Sequence, residues 1–463
     1  MTAFRFRVFV GLWACICAWL VLPSFVHASQ TVRRDARGAE PAMFDVSLEE
    51  VHNQTAPVVS PWKSITLDPE LAGAWIVAGE LDGDGTAEIV TARNFNEDDN
   101  HYTCSVAAYT LDGELLWQWG RPKDGRNKLH HDVACQIHDW DGDGQNEVVV
   151  AARQKLVQLD GATGAVENSF DIPRHASDCL VFADLAGRGR PEELLVKDRY
   201  SQIWAFDRAG NLLWTVENPG NYRTAHQPLP VDIDGDGKDE IVAGYALLNP
   251  DGSVRWGLQG LVQWAEAGLP LERGHLDCAR VFKKGSTPEK SSLVMTFCGG
   301  NRIALLRGDG KKMFWSVEGY HFESADVGEV CVEHEGDEIA VDIAHRERGD
   351  SPLWLLSASG ELLGSIMTER SRQHVLVNWL GGETQSIVMG TPGALFDGNG
   401  RKRVIFDAPD KGMCAGGDMD GDGRQDLLFW SNPASTLTVF KNRRGKKREG
   451  EVRPGTGLNF TLY

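Results

Sequence analysis

The chain has 463 residues, of which 24% are charged and 42% hydrophobic, with 15 Trp, 51 Gly and 19 Pro. That length exceeds one ordinary core, and the hydrophobic and Trp content excludes a disordered chain. A formal net charge of −19, from 66 acidic against 47 basic residues, argues against nucleic-acid binding through phosphate contacts.

The N-terminus reads as an export signal. Arg5 and Arg7 precede an apolar run from Val8 to Leu22, broken by Pro23, and Val26-His27-Ala28 forms a small-residue cleavage site. Residues 1–28 are therefore expected to be removed, leaving a secreted or periplasmic protein with no membrane association. The nine cysteines include Cys15 and Cys17 in that signal, so an odd number remains and at least one thiol is unpaired within a monomer, the expected state. Residues 29–60 lack periodicity and are expected to form a flexible leader.

From residue 61 to 463 the chain repeats, and one domain is expected there. Four segments follow the pattern D-x-D-G-D-G-x-x-[D/E], with Glu as the first residue of the first copy. Their acids are Glu80, Asp82, Asp84 and Glu88; Asp139, Asp141, Asp143 and Glu147; Asp232, Asp234, Asp236 and Glu240; and Asp418, Asp420, Asp422 and Asp426. Each precedes a short run of β-forming residues. A degenerate copy, Asp184 to Glu192, has lost its middle acids. Further along each unit a Gly turn leads to a Trp: Gly113 to Trp117, Gly210 to Trp214, Gly252 to Trp256 and Gly310 to Trp315. These Trp are expected to anchor blade to blade. A His opens many units, at 131, 175, 226, 275, 321 and 374, with spacings of 44, 51, 49, 46 and 53 residues.

Four short strands per unit at that period predict an all-β fold, a single β-propeller of four-stranded blades. Units start near residues 70, 131, 175, 226, 275, 321, 374 and 413, which gives eight blades, with seven left open by uncertain boundaries. Pro61–Asp68 or Leu458–Tyr463 is expected to supply the strand that closes the ring. Leu261–Leu271 is the one helix candidate, on an inter-blade loop.

The acidic loops join strands one and two, so they share one face, the bottom. Alternate carboxylates on a tight Gly-permitted loop suit Ca²⁺, in a structural role. The alternative is a set of solvated Asp-Gly turns without metal. The first loop is not an EF-hand, since Thr91 stands where that motif needs Glu.

The opposite face collects the strand-one starts and the loops between strands two and three. It gathers His101, His130, His131, His226, His275 and His321 with Arg93, Arg153, Arg199 and Arg223, and with Tyr200, Tyr222 and Tyr245. In an acidic protein this is a local inversion of charge that points to an anionic ligand. A repeated His can instead cap its blade. His138, inside the acidic stretch, belongs to the bottom face.

The stretch Ala225-His226-Gln-Pro-Leu-Pro-Val-Asp-Ile-Asp-Gly-Asp-Gly-Lys-Asp-Glu240 through Tyr245, with Gly274-His275-Leu-Asp277 after it, resembles the core of family 11 rhamnogalacturonan lyases and of the ulvan lyases of families 24 and 25. The resemblance implies a lyase that cleaves a uronate-containing anionic polysaccharide by β-elimination. It implies His131 and His101 as the catalytic His pair, Tyr200 as the catalytic Tyr and Arg223 as the group that neutralises the uronate. His130, Arg93, Arg153, Arg199, Tyr222, His226, Tyr245, His275 and His321 are then substrate-binding. The competing reading is a non-catalytic, Ca²⁺-stabilised propeller that binds glycans or proteins. A quinone-dependent oxidoreductase is disfavoured, because its motif is only hinted at in Gln158 to Gly164.

Overall fold

The computed structural model describes residues 24–27, 33–34, 42–97, 100–128, 135–259, 274–344, 351–369 and 373–447. Eight antiparallel four-stranded blades form a ring, an eight-bladed β-propeller. Their first strands are Trp75–Gly79, Cys135–His138, Cys179–Ala183, Thr224–Val231, His275–Lys283, Phe322–Gly328, His374–Val377 and Met413–Gly417. From blade 1 to blade 8 each first strand touches the next. The expected unit starts fall within a few residues of these strands. The helix candidate Leu261–Leu271 lies outside the described residues.

Blades 1 to 7 each contain four consecutive strands. Blade 8 supplies three, and Lys63–Thr66 completes it by pairing antiparallel with Thr436–Phe440. Of the two segments proposed to close the ring, the N-terminal one does so. Ile65 is fully buried in that seam.

The flexible leader expected over 29–60 is not what the structure shows for 42–60. Phe44–Val46 adds a parallel fifth strand to blade 6, and Val58–Val59 adds one to blade 7. Helix Leu48–Asn53 connects them. Its start is a capping box: the Glu50 amide donates to Ser47 Oγ at 3.2 Å, and the Ser47 amide donates to Glu50 Oε2 at 2.8 Å. Upstream, Ser24–His27 and Arg33–Arg34 pair parallel with the outer strands of blades 4 and 5. The described N-terminal strands thus form a belt along blades 4 to 7, of which Ser24–His27 falls within the segment expected to be cleaved.

The repeated Trp bind blade to blade. Trp117 Nε1 donates to the Gly161 carbonyl at 2.7 Å, Trp214 to Pro250 at 2.9 Å, Trp256 to Gly308 at 3.1 Å and Trp315 to Ala358 at 2.9 Å. Each acceptor lies in the last turn of the following blade. Blade 6 lacks this Trp, and Phe44 of the belt lies against Gly400 of blade 7 instead. The turn glycine beneath each ring has positive φ and no room for a Cβ. At Gly310, φ is +68° and a Cβ would sit 2.7 Å from the Trp256 ring. Gly310→Ala is expected to cost about 2–4 kcal/mol, from backbone strain plus overpacking. A drop in Tm checks this, and an unchanged Tm would rule it out.

A second repeated device holds the bottom loops. In six blades the first residue of strand two is an acid whose side chain accepts an amide N–H from the second position of the loop. Glu88 takes Leu81, Glu147 takes Trp140, Glu193 takes Leu185, Glu240 takes Ile233, Glu338 takes Cys331 and Asp426 takes Met419. The hook is present in blade 3, where the middle acids are missing, and in blade 6, where the sequence pattern is unrecognisable. The degenerate copy in blade 3 ends at Glu193, one residue later than the sequence pattern indicated.

Among the described residues no disulfide joins Cys104, Cys135, Cys179, Cys278, Cys298, Cys331 and Cys414. No helix of the described residues is long and apolar enough to cross a membrane.

Candidate functional site

Polar side chains converge at the top of the channel, where blades 3, 4, 5 and 6 begin. The turn from Asp198 to Gln202 in blade 3 starts the construction. Asp198 Oδ1 accepts the amides of Tyr200, Ser201 and Gln202 at 3.1, 2.7 and 2.7 Å, which closes the turn and fixes what it presents. It presents Arg199 and Tyr200. Just before it, Lys197 is buried, pairs with buried Asp178 at 3.1 Å and donates to the Arg199 carbonyl at 2.9 Å.

Tyr200 is the hub. The Arg223 guanidinium lies 4.4 Å from its ring centroid and that of Arg199 lies 4.8 Å away, both in cation–π range. On its other side are the rings of His275 at 4.9 Å and His226 at 5.6 Å, themselves 4.9 Å apart. A cavity of about 410 Å³ opens here, lined by His175, Asp198, Arg199, Tyr200, Ser201, Asn218 and Arg223. Two guanidiniums and a phenol at one wall suit a ligand that carries both a carboxylate and hydroxyls.

Below the tyrosine three imidazoles surround one buried carboxylate. His226 Nε2 is 3.6 Å and His275 Nε2 is 3.3 Å from Asp277 Oδ1, and His321 Nε2 is 3.5 Å from Oδ2. His321 also lies 3.3 Å from Glu323, which is buried. One donor atom each from His226, His275 and Asp277 lie within 4.8 Å of one another, as do those from Asp277, Cys298 and His321. Nitrogen, oxygen and sulfur donors at that spacing suit a borderline metal better than Ca²⁺.

Burial, and then the neighbouring His275, push the His226 pKa down from 6.5 to about 3, against the pull of Asp277. The unfolded chain therefore takes up a proton near pH 6.5 that the folded chain refuses until about pH 3. Stability from this group is full above its unfolded pKa and falls as pH drops through that window, by about 1.4 kcal/mol per pH unit. Denaturant unfolding of the native chain and of His226→Gln at about pH 7 and about pH 5 tests this, with a shallower loss expected for the variant. Equal losses would refute it.

The structure thus brings together Tyr200, Arg199, Arg223, His226, His275 and His321. It places other expected residues elsewhere. His131 and His130 lie outside the described residues. His101 is buried, with Arg199 at 3.3 Å and Asp178 at 3.8 Å from its Nε2, so it sits behind the site and not at its surface. The reason is its hairpin. Asn94–Glu97 pairs with Asn100–Thr103, and Phe95 stacks on Tyr102 at 4.9 Å. Ser177 bonds the His101 carbonyl and ties the hairpin to the entrance of blade 3.

Arg93 does not face a sugar either. Its guanidinium donates to the carbonyls of Pro69, Glu70, Ala72 and Gly125 and staples the surrounding loops. Tyr222 and Tyr245 pack together at 5.0 Å in the core, with hydroxyls bonded to the carbonyls of Leu258 and Cys298. Arg153 is exposed.

Sequence reasoning passed over Asp178, Lys197 and Glu323, took His175 only as a unit start, and quoted Asp277 only within the resemblance. A signal existed for two of them. Asp277 follows His275 by two residues and Glu323 follows His321 by two, which in a strand puts each pair on one face.

On the bottom face, Asp139, Asp141, Asp143 and Glu147 cluster, as do Glu80, Asp82 and Glu88, and Asp232, Asp234 and Glu240. The fit to a hard divalent cation is good in blade 1, where Glu88 is fully buried and its Oε1 makes no hydrogen bond. Those residues would hold the ion far from the top-face cavity, as a brace on the loop.

No family profile matches this chain. Among curated proteins it is similar to the rhamnogalacturonan endolyase YesW of Bacillus subtilis (strain 168), 30% identical over 38% of this chain and 38% of that enzyme. It is also similar to the rhamnogalacturonan exolyase YesX of the same organism, 25% identical over 38% of each chain. The match spans well under half the length of either relative. Among solved structures, the Bacillus licheniformis rhamnogalacturonan lyase PL11 superposes with a TM-score of 0.60 at 20% identity, over 82% of this chain and 76% of that one. This last likeness is one of fold.

Proposed function

We propose that this protein is a polysaccharide lyase that cleaves a rhamnogalacturonan-type polymer by β-elimination at its galacturonate units. The observation that carries the reading is the placing of Tyr200 between Arg199 and Arg223 at the cavity wall, in a chain similar to two rhamnogalacturonan lyases. β-Elimination needs three things: neutralisation of the uronate carboxylate so that the C5 proton becomes acidic, a base for that proton, and an acid for the departing O4. Arg223, with Arg199 beside it, takes the carboxylate as a guanidinium fork. Tyr200, which lines the cavity beside both guanidiniums, is the phenol we assign to proton transfer at C5 or at the leaving O4.

The proposed enzyme works outside the cytoplasm, after loss of its signal. Of the two polymers the resemblance implied, the curated relatives favour rhamnogalacturonan over ulvan. The test is ultraviolet absorbance of the unsaturated uronate product on rhamnogalacturonan, ulvan, glucuronan and glycosaminoglycans. A rise on rhamnogalacturonan supports the reading. A rise only on another polymer moves the substrate, and a flat trace on all of them with a folded sample overturns the lyase.

A further inference from the structure

The four complete acidic loops are alike in sequence but differ in what faces their acids. In blade 1, Glu88 Oε2 takes the Leu81 amide and Oε1 is buried without a hydrogen bond, and one carboxylate oxygen each of Glu80, Asp82 and Glu88 lie within 4.8 Å of one another. In blade 4 the equivalent oxygen, Glu240 Oε1, is met by Arg255 Nη1 at 2.7 Å. The same guanidinium sends Nη2 to Asp234 at 2.7 Å, and Lys284 lies 3.6 Å from Asp232. Arg255 comes from the outer strand Val254–Gln259 of the same blade.

Blade 3 shows the exchange carried further. Its middle acids are gone, and Arg188, inside the loop, reaches the equivalent Glu193 Oε1 at 2.7 Å. Blade 8 sets a lysine among its acids, although Asp420 Oδ1 itself is buried without a hydrogen bond. Both oxygens of Asp426 accept backbone amides, from Asn442 at 2.7 Å and Met419 at 3.2 Å. Lys441 pairs with Asp420 and lies 3.5 Å from Asp422, its ammonium resting over the Trp62 ring.

We propose that Arg255 and Lys441 are built-in counter-cations that replace the divalent ion in blades 4 and 8, and that the blade 1 loop, with its unpartnered buried oxygen, is where such an ion binds. A buried carboxylate oxygen needs a partner of positive charge or a donor. The ion would supply it in blade 1, where the other acids of the pattern are present, and a tethered base supplies it in blades 3 and 4; Glu338 Oε1 of blade 6 is also buried without a hydrogen bond, but in a loop that lacks the D-x-D-G-D-G spacing. A tethered cation binds without concentration dependence, so these loops stay braced when external Ca²⁺ falls. The inference is independent of the lyase reading, because it concerns the opposite face.

The experiment is equilibrium dialysis of the whole chain against calcium chloride, with bound calcium counted by emission spectrometry. Asp82→Ala is expected to lose one equivalent relative to the native chain, and Asp234→Ala and Asp420→Ala none. Arg255→Met is expected to gain one equivalent, with circular dichroism as the check on folding. Loss of an equivalent in Asp234→Ala or Asp420→Ala would overturn the proposal for that blade. No loss in Asp82→Ala would overturn it for blade 1. If Arg255→Met does not fold, the three acid variants decide the matter on their own.

Discussion

Tyr200→Phe is expected to lower kcat on rhamnogalacturonan by about 10²- to 10⁴-fold, the range for removal of a general acid or base, with little change in KM. Phe keeps the ring and hence the packing against His275 and Arg223. Only the hydroxyl is lost, so a fall in kcat reports the proton it carried. The companion variants separate charge from shape. Arg223→Ala removes the clamp on the carboxylate and is expected to lower kcat/KM by a similar factor. Arg223→Lys keeps the charge but not the fork, and is expected to recover only part of it. Initial rates of product absorbance give all three numbers. If Tyr200→Phe kept more than about a tenth of native kcat, the proton would have to pass through another group, with His275 the nearest candidate.

The blade ring was readable because each unit repeats one local instruction. The Asp-Gly loop, the β-run after it and the Gly-to-Trp step recur with so little drift that the expected starts near 275, 374 and 413 coincide with strand starts at His275, His374 and Met413. Local signals also account for what was missed. Ser47-Leu-Glu-Glu50 carries a capping box that announces a helix, yet the surrounding segment has no strand period, because it pairs along only two or three residues per blade. A belt held by another blade's backbone leaves little trace in its own pattern.

The site was legible only in part, for a physical reason. Arg199 and Tyr200 lie on a turn that Asp198 itself closes, Arg223 immediately precedes strand one of blade 4, and His226, His275 and His321 stand at strand-one entrances. Those positions follow from the repeat alone. The fate of Tyr222, Tyr245, Arg93 and His101 depends instead on carbonyls and rings supplied by other segments. A tyrosine at a blade entrance reads the same whether its hydroxyl meets a sugar or the Leu258 carbonyl. Exposure distinguishes the two, and exposure is a property of the assembled ring.

Lys197 is where fold and site meet, and its replacement should have the second large effect. Lys197 and Asp178 are 1% and 2% exposed, and their 3.1 Å pair lies directly beneath the turn that presents Arg199 and Tyr200. Lys197→Met leaves the Asp178 carboxylate buried without its ammonium, a change worth about 3–5 kcal/mol of stability. Asp178→Asn in the same chain removes the orphaned charge, so the double variant should be more stable than the sum of the two single losses by at least about 1 kcal/mol. Chemical denaturation of the four proteins closes the cycle, and additive losses would mean that the pair is not coupled. Activity should not follow stability back. The ammonium also holds the Arg199 carbonyl at 2.9 Å, and no side chain in the double variant restores that bond. A double variant that is stable yet still slow would show that Lys197 positions the turn as well as supporting the fold, whereas full recovery of rate would confine its role to the core.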